Sequence, residues 1–234
     1  MNNPFQNVQK EKVVEFLKKN LWGILLFALL LVIDLVTKIV AEVYFTAEDA
    51  PLSIPIIPGY LELCLAYNRG ISFSIGSTAP TWAKIALIAG TGIMFIVLGF
   101  LFFKVDKRRV WLRVALVMVV AGGIGNFIDR VYYQVWNPDT FPYGVRDMVR
   151  LKIWFMDFGV CNFADFFIVG GAIVMIFALL FFDSMSIFPM TEKYKALAKE
   201  EEEREEAKKA EKLAQQSKPS CKPSENENNE EQSS

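Results

Sequence analysis

The sequence predicts a membrane-embedded all-α protein: four transmembrane helices, a small outward-facing β cradle and a polar C-terminal tail. Three observations predict it. Four apolar runs of roughly twenty residues recur along the chain, about the length needed to cross hydrocarbon at 1.5 Å per residue. The 234 residues are 53% hydrophobic and include 20 Phe and 5 Trp, which suits lipid contact better than a water-facing surface. The net charge is only -1, yet charges are sparse through the middle and crowded after Thr191.

Residues 1–20 form a polar N-terminal segment with Lys10, Lys12, Lys18 and Lys19 close to the first apolar run. That run, Leu21–Ala41, is followed by no small-residue cleavage site and reads as a retained span. Asp34 and Lys38 interrupt it one helical turn apart, where they can pair on one face. Residues 42–80 are punctuated by Pro51, Pro55, Pro58, Gly59, Gly70, Gly76 and Pro80. Short apolar runs at Leu61–Tyr67 and Ile71–Ile75 lie between them, which predicts a small sheet or extended cradle. The second span is Thr81–Phe103; after the basic turn from Lys104 to Arg109 comes the third, Val110–Ile128. Residues 131–160 form a second long loop with Pro138, Pro142 and Gly144, and the fourth span is Asn162–Phe182. From Thr191 to Gln216 Glu and Lys alternate in blocks, which allows an exposed helix held by i,i+4 pairs. Beyond it the Ser, Asn, Glu and Pro content reads as disordered. Three units result: a cytoplasmic segment 1–20, a four-span membrane domain 21–190 and a charged, solvated tail 191–234.

Orientation follows from basic residues in short connections. The N-terminal segment and the turn between spans two and three are rich in Lys and Arg, whereas the loop 42–80 carries Arg69 alone. The positive-inside rule places both termini and the middle turn in the cytoplasm and both long loops outside. Arg146, Arg150 and Lys152 in the second loop weaken that signal without reversing it. The composition also excludes chemistries. There is no histidine, which removes Ser-His and Cys-His catalysis and most zinc sites, so no metal or cofactor is expected. No basic face with interleaved aromatics speaks for nucleic acid. Cys64, Cys161 and Cys221 form no Cys-x-x-Cys, and unpaired thiols are expected over a bridge between Cys64 and Cys161.

The informative polar groups gather at one depth. On this topology Asp34 and Lys38 lie in the outer half of span one, Asn126, Asp129 and Arg130 at the outer end of span three, and Asn162 and Asp165 at the outer start of span four. Asn68 and Asp147 are in the outer loops. Singly, each has a structural explanation: Asp34 with Lys38 as an ion pair, Gly122, Gly123 and Gly125 as a helix-packing surface, Asp129-Arg130 as a span terminus, Asp165 as a helix N-terminal charge. Together, on one leaflet, they point to carboxylate chemistry. Two close acids cannot both ionise cheaply; the charged one can take a proton from water while the neutral one polarises a carbonyl. A small transporter or channel subunit, with the same groups lining a polar path, is the alternative class, and a scaffold acting through the tail is a third.

Four blocks occur in a telling order: Asp34-x-x-x-Lys38, Asn68-x-Gly70-x-Ser72-Phe73, Gly122-Gly123-x-Gly125-Asn126-x-x-Asp129-Arg130 and Asn162-x-Ala164-Asp165. In them the chain resembles the lipoprotein signal peptidases (signal peptidase II) over about residues 20–185. The resemblance implies an intramembrane aspartic endopeptidase of the bacterial cytoplasmic membrane, its active site at the outer face. Such enzymes cut the signal peptide from a prolipoprotein just before a cysteine already carrying diacylglycerol. Lipid-modified prolipoproteins and membrane lipid are then the partners of a monomeric enzyme. The resemblance makes Asp165 one catalytic acid and carries the other role to Asp147, in Val145-Arg146-Asp147-Met148-Val149, where the family normally has two aliphatic residues before the acid. Arg146 departs from that pattern, the stretch between Arg130 and Asp147 is longer than usual, and Asp157 is a rival for the role. Asn68, Gly70, Asn126, Arg130, Asn162 and Ala164 are implied to hold the acids and substrate, with Asp34, Lys38 and Asp129 as supports.

Overall fold

A computed structural model describes residues 4–70, 79–153, 156–182 and 192–216. The predicted apolar run Ile71–Ile75, Ser72, Phe73, Gly76 and Cys221 lie outside the described residues, as does the stretch after Gln216. Helix α1 (Pro4–Phe45) is followed by strands β1 (Ser53–Ile57) and β2 (Leu61–Asn68), then helices α2 (Thr81–Lys104) and α3 (Val110–Tyr132). Strands β3 (Val145–Ile153) and β4 (Met156–Cys161), helix α4 (Phe163–Phe177) and helix α5 (Glu192–Gln216) complete the chain. Four helices are long and apolar enough to cross a membrane: Val14–Phe45 of α1, α2, α3, and Phe163–Phe182, where a π-helical turn at Ala178–Phe182 extends α4.

Helix α1 continues to Pro4 instead of stopping near residue 20, because Glu and Lys are good helix formers and neither Pro nor Gly intervenes. Helix α3 is central. Its buried residues run from Leu112 to Asp129, whereas α2 buries Phe102 and α4 buries Ala164 and Gly171, leaving their other faces to lipid. Small residues let backbones approach where little hydrophobic force acts between helices. A Cβ on Gly122 would collide with the Ala164 carbonyl oxygen, and one on Gly171 would meet Ala115 O at 3.0 Å, so α3 and α4 can touch only with glycine at these points. At the end of the helices away from the sheet, Phe102, Leu112, Leu116, Val117 and Ala178 form an apolar core. Beside it Arg113 is enclosed, donating to Asn20 Oδ1 at 2.7 Å and stacking on Phe102 and Trp22.

The two long connections, between α1 and α2 and between α3 and α4, make one antiparallel sheet in the order β1-β2-β3-β4. The first half, β1 and β2, matches the expected cradle; β3 and most of β4 stand in place of the loop expected over 131–160. Pairing of Ala66 with Asp147, Tyr67 with Arg146 and Asn68 with Val145 fixes the β2–β3 register. Because side chains alternate along a strand, Asn68 and Asp147 share one face while Tyr67 and Arg146 share the other. The sheet sits on a second core of Ala41, Met148 and Val149. Gly59 turns the β1–β2 hairpin at φ +80°.

Candidate active site

Four elements deliver polar side chains to one place beneath the sheet. Helix α1 supplies Asp34 and Lys38, both fully buried, with Lys38 Nζ 2.8 Å from Asp34 Oδ2. An isolated charge in that environment would be expensive, so the pair is a condition for either residue to be there. Asp34 Oδ1 accepts from the Ala164 backbone N–H at 2.8 Å, tying α1 to the first turn of α4. Gly125 makes this approach possible, since a Cβ there would overlap Asp34 Oδ2.

Lys38 also donates to Asn126 Oδ1 at 2.9 Å. An ammonium can only donate, so the Asn126 oxygen must face it and the amide nitrogen must face the other way. That nitrogen donates to Asp165 Oδ1 at 2.8 Å. Asn162 is oriented by the same logic. As N-cap of α4 it accepts from the Asp165 backbone N–H at 3.1 Å, and Asp165 Oδ2 accepts in return from the Asn162 N–H at 3.1 Å, a reciprocal capping box. The Asn162 Nδ2 is thereby turned to Asp147 Oδ1 at 2.5 Å and Asn126 Oδ1 at 3.1 Å.

Asp147 and Asp165, from β3 and α4, are thus linked through one asparagine that contacts both. Burial, followed by the charge of Asp165, pushes the Asp147 carboxyl up to about 7, against the opposing pull of donors on Asn162 and Asn68. Both oxygens of Asp165 accept hydrogen bonds, Oδ1 from Asn126 and Oδ2 from the Asn162 backbone. Above the pair, Asn68, Asp147, Asp157 and Phe158 line a recess of about 300 Å³. Asp157 is exposed on β4, accepts from Gly159 N at 2.8 Å, and stands at the rim rather than among the buried amides.

The remaining predicted residues lie around this centre. Asn68 accepts from the Gly70 N–H at 2.9 Å, and Arg130 Nη2 donates to the Gly70 carbonyl at 3.2 Å. Gly144 packs so closely that a Cβ would be 2.5 Å from the Asn68 carbonyl oxygen. Asp129 is fully buried; it pairs with Arg146 at 2.6 Å and lies 3.5 Å from Lys38. Cys64 and Cys161 are unbridged thiols, and burial, with the charges of Asp165 and Asp147, pushes the Cys161 thiol up to about 12. Glu42, Tyr67 and Tyr133 are not among the residues expected from the sequence, where Arg146 counts only as a loop charge and a departure from the family pattern. Glu42 was findable, since Asp34, Lys38 and Glu42 recur every four residues on one face of α1.

The chain is similar to known proteins in sequence and in fold. The signal peptidase (SPase) II family model matches residues 26–181. A lipoprotein signal peptidase of Ectopseudomonas mendocina (strain ymp) is 34% identical over 155 residues, 65% of this chain and 83% of the relative. One from Streptococcus thermophilus (strain CNRZ 1066) is 33% identical over 128 residues, 54% of this chain and 72% of the relative. A solved bacterial membrane enzyme superposes with a TM-score of 0.54 at 29% identity, covering 68% of this chain and 87% of the other. A second does so with a TM-score of 0.54 at 28% identity, covering 68% and 92%. By the extent of the family match, reinforced by relatives from distant bacteria, this chain belongs to the signal peptidase II family of membrane proteases.

Proposed function

We propose that the chain is an aspartic endopeptidase that removes signal peptides from diacylglyceryl-modified prolipoproteins, cutting just before the lipidated cysteine at the outer boundary of the cytoplasmic membrane. The observation that carries the reading is the placement of two carboxyl groups on one oriented asparagine: Asn162 contacts Asp147 through its amide and Asp165 through its backbone. Asp165, with both oxygens hydrogen-bonded, acts as the carboxylate that takes a proton from water. The resulting nucleophile attacks the scissile carbonyl. Asp147, protonated up to about pH 7, gives its proton to the carbonyl oxygen. Collapse of the tetrahedral intermediate breaks the C–N bond: the proton taken by Asp165 passes to the leaving amine, and the proton lent to the carbonyl oxygen returns to Asp147 as the C=O re-forms. Asn68 and Arg130, held to Gly70 at the mouth, bind the substrate backbone; Asp34, Lys38 and Asp129 support Asn126 from below.

In this reading both termini and α5 lie in the cytoplasm, and the sheet lies outside as a cover for the substrate. The lipid on the substrate cysteine fixes the cleavage point at the depth of the two acids. The test is cleavage of a diacylglyceryl-modified precursor by the purified protein. Asp147→Asn and Asp165→Asn should each remain folded and lose about 10²- to 10⁴-fold in rate, as expected for removal of half an acid–base pair. Full activity in either variant overturns the assignment. Activity that survives Asp147→Asn but not Asp157→Asn would move the role to Asp157.

A further inference from the structure

A second polar assembly lies on the far face of β3 from the acid pair. Arg146 precedes Asp147 on β3, so strand alternation sends its side chain away from the reacting face. There its backbone N–H and Nε donate to Asp129 Oδ2 at 3.0 and 3.3 Å, and its Nη2 donates to Asp129 Oδ1 at 2.6 Å. The remaining arm, Nη1, reaches Glu42 Oε2 on α1 at 3.0 Å. The other Glu42 oxygen accepts from the hydroxyls of Tyr67 and Tyr133, and the Tyr133 ring packs on the Arg146 guanidinium. Charges alternate without a break from Asp34 through Lys38, Asp129 and Arg146 to Glu42.

We propose that Arg146, clamped by Asp129 and Glu42, is the positioning residue that holds both catalytic acids in register. The proposal rests on Asp147 and Asp165 being the reacting pair. Two routes lead from Arg146 to them. The first is the strand. The β3–β4 pairing begins at Val149 opposite Cys161, so in the described ladder Val145 to Asp147 are paired on the β2 side only. The contacts from Arg146 to Asp129 supply the second restraint that a neighbouring strand would give, at the residue next to Asp147. The second route is charge. Without the guanidinium, the buried Asp129 is left to Lys38, 3.5 Å away. The ammonium is then drawn from Asn126 Oδ1, the contact that turns the Asn126 amide to Asp165. A bidentate guanidinium can serve two carboxylates at once; an ammonium is a point charge and serves one well.

The experiment uses the full-length purified enzyme and a diacylglyceryl-modified precursor, with kcat, KM and thermal unfolding measured for Arg146→Met, Arg146→Lys and Glu42→Gln. Arg146→Met should lower kcat roughly ten- to a hundredfold, the usual cost of losing a residue that orients a catalytic group, with KM changed by less than about twofold. Arg146→Lys, which keeps one carboxylate pairing, should recover part of that loss. Glu42→Gln, which keeps an acceptor for the two phenols, should show a smaller fall in kcat. Wild-type kcat in folded Arg146→Met overturns the proposal. So does a loss that merely tracks the folded fraction in both Arg146 variants. If Arg146→Met does not fold, Glu42→Gln decides: a lowered kcat at unchanged melting temperature supports the clamp, and an unchanged kcat overturns it. Asp147→Asn in parallel separates the two claims. If it is inactive while Arg146→Met is fully active, only the clamp fails; if Asp147→Asn is active, the acid pair fails.

Discussion

At Asp147 a single titration links stability to activity. Its carboxyl in the folded chain titrates near about 7, above the ordinary 3.8, because burial and the charge of Asp165 oppose ionisation. The protonated folded form is therefore fully favoured below about pH 4, and that advantage is lost as pH rises through about 7. The melting temperature should fall between pH 5 and pH 8 by a few degrees, on the order expected for a shift of this kind, and Asp147→Asn should flatten the slope. The cleavage rate should decline over the same upper limb, with apparent values belonging to the pair rather than to either acid. An alkaline limb unchanged in position in a related variant such as Asn162→Ser would count against this origin. The sequence made Asp165 and Asn162 legible because both stand at the start of an apolar helix, where an Asn cap and an acid three residues later have local meaning. Arg146 and Tyr133 were not legible: each acquires its role from a partner more than a dozen residues away.

Among the elements, the helices were readable and half the sheet was not. Apolar length alone placed α2, α3 and α4 to within a few residues, since lipid admits few other solutions. The strand β3 escaped because period-2 alternation marks a strand with one wet face, and β3 is enclosed on both sides from Val145 to Val149. The prolines at 138 and 142 then dominated the local signal. The glycines of α3 supply a discriminating test at this level. Gly125→Ala should force Asp34 from its place between Lys38 and Ala164, lowering both melting temperature and cleavage rate. Gly90→Ala, where an added methyl meets nothing within 4 Å, should be neutral or should stabilise α2 by up to about 1 kcal/mol. Thermal unfolding of the two variants side by side checks the contrast; equal melting temperatures would show that the Asp34 approach does not govern Gly125.

For the whole molecule, segregation of charge along the chain predicted separation of the membrane body from the tail. Between α5 and the body the described contacts include one ion pair, Arg108 with Glu200 at 3.6 Å, and both partners are exposed. Such pairs contribute about 0–1 kcal/mol. Truncation after Phe188 should therefore leave kcat, KM and melting temperature within error of the full chain; a large loss would give the tail a part in the reaction. The bridge through Asn126 carries a consequence for biosynthesis. It needs Lys38 from the first span and Asp165 from the last, so a nascent chain emerging from the ribosome has no assembled dyad until its fourth span is inserted. On the proposed mechanism, the protease is therefore silent until the last of its spans is in place.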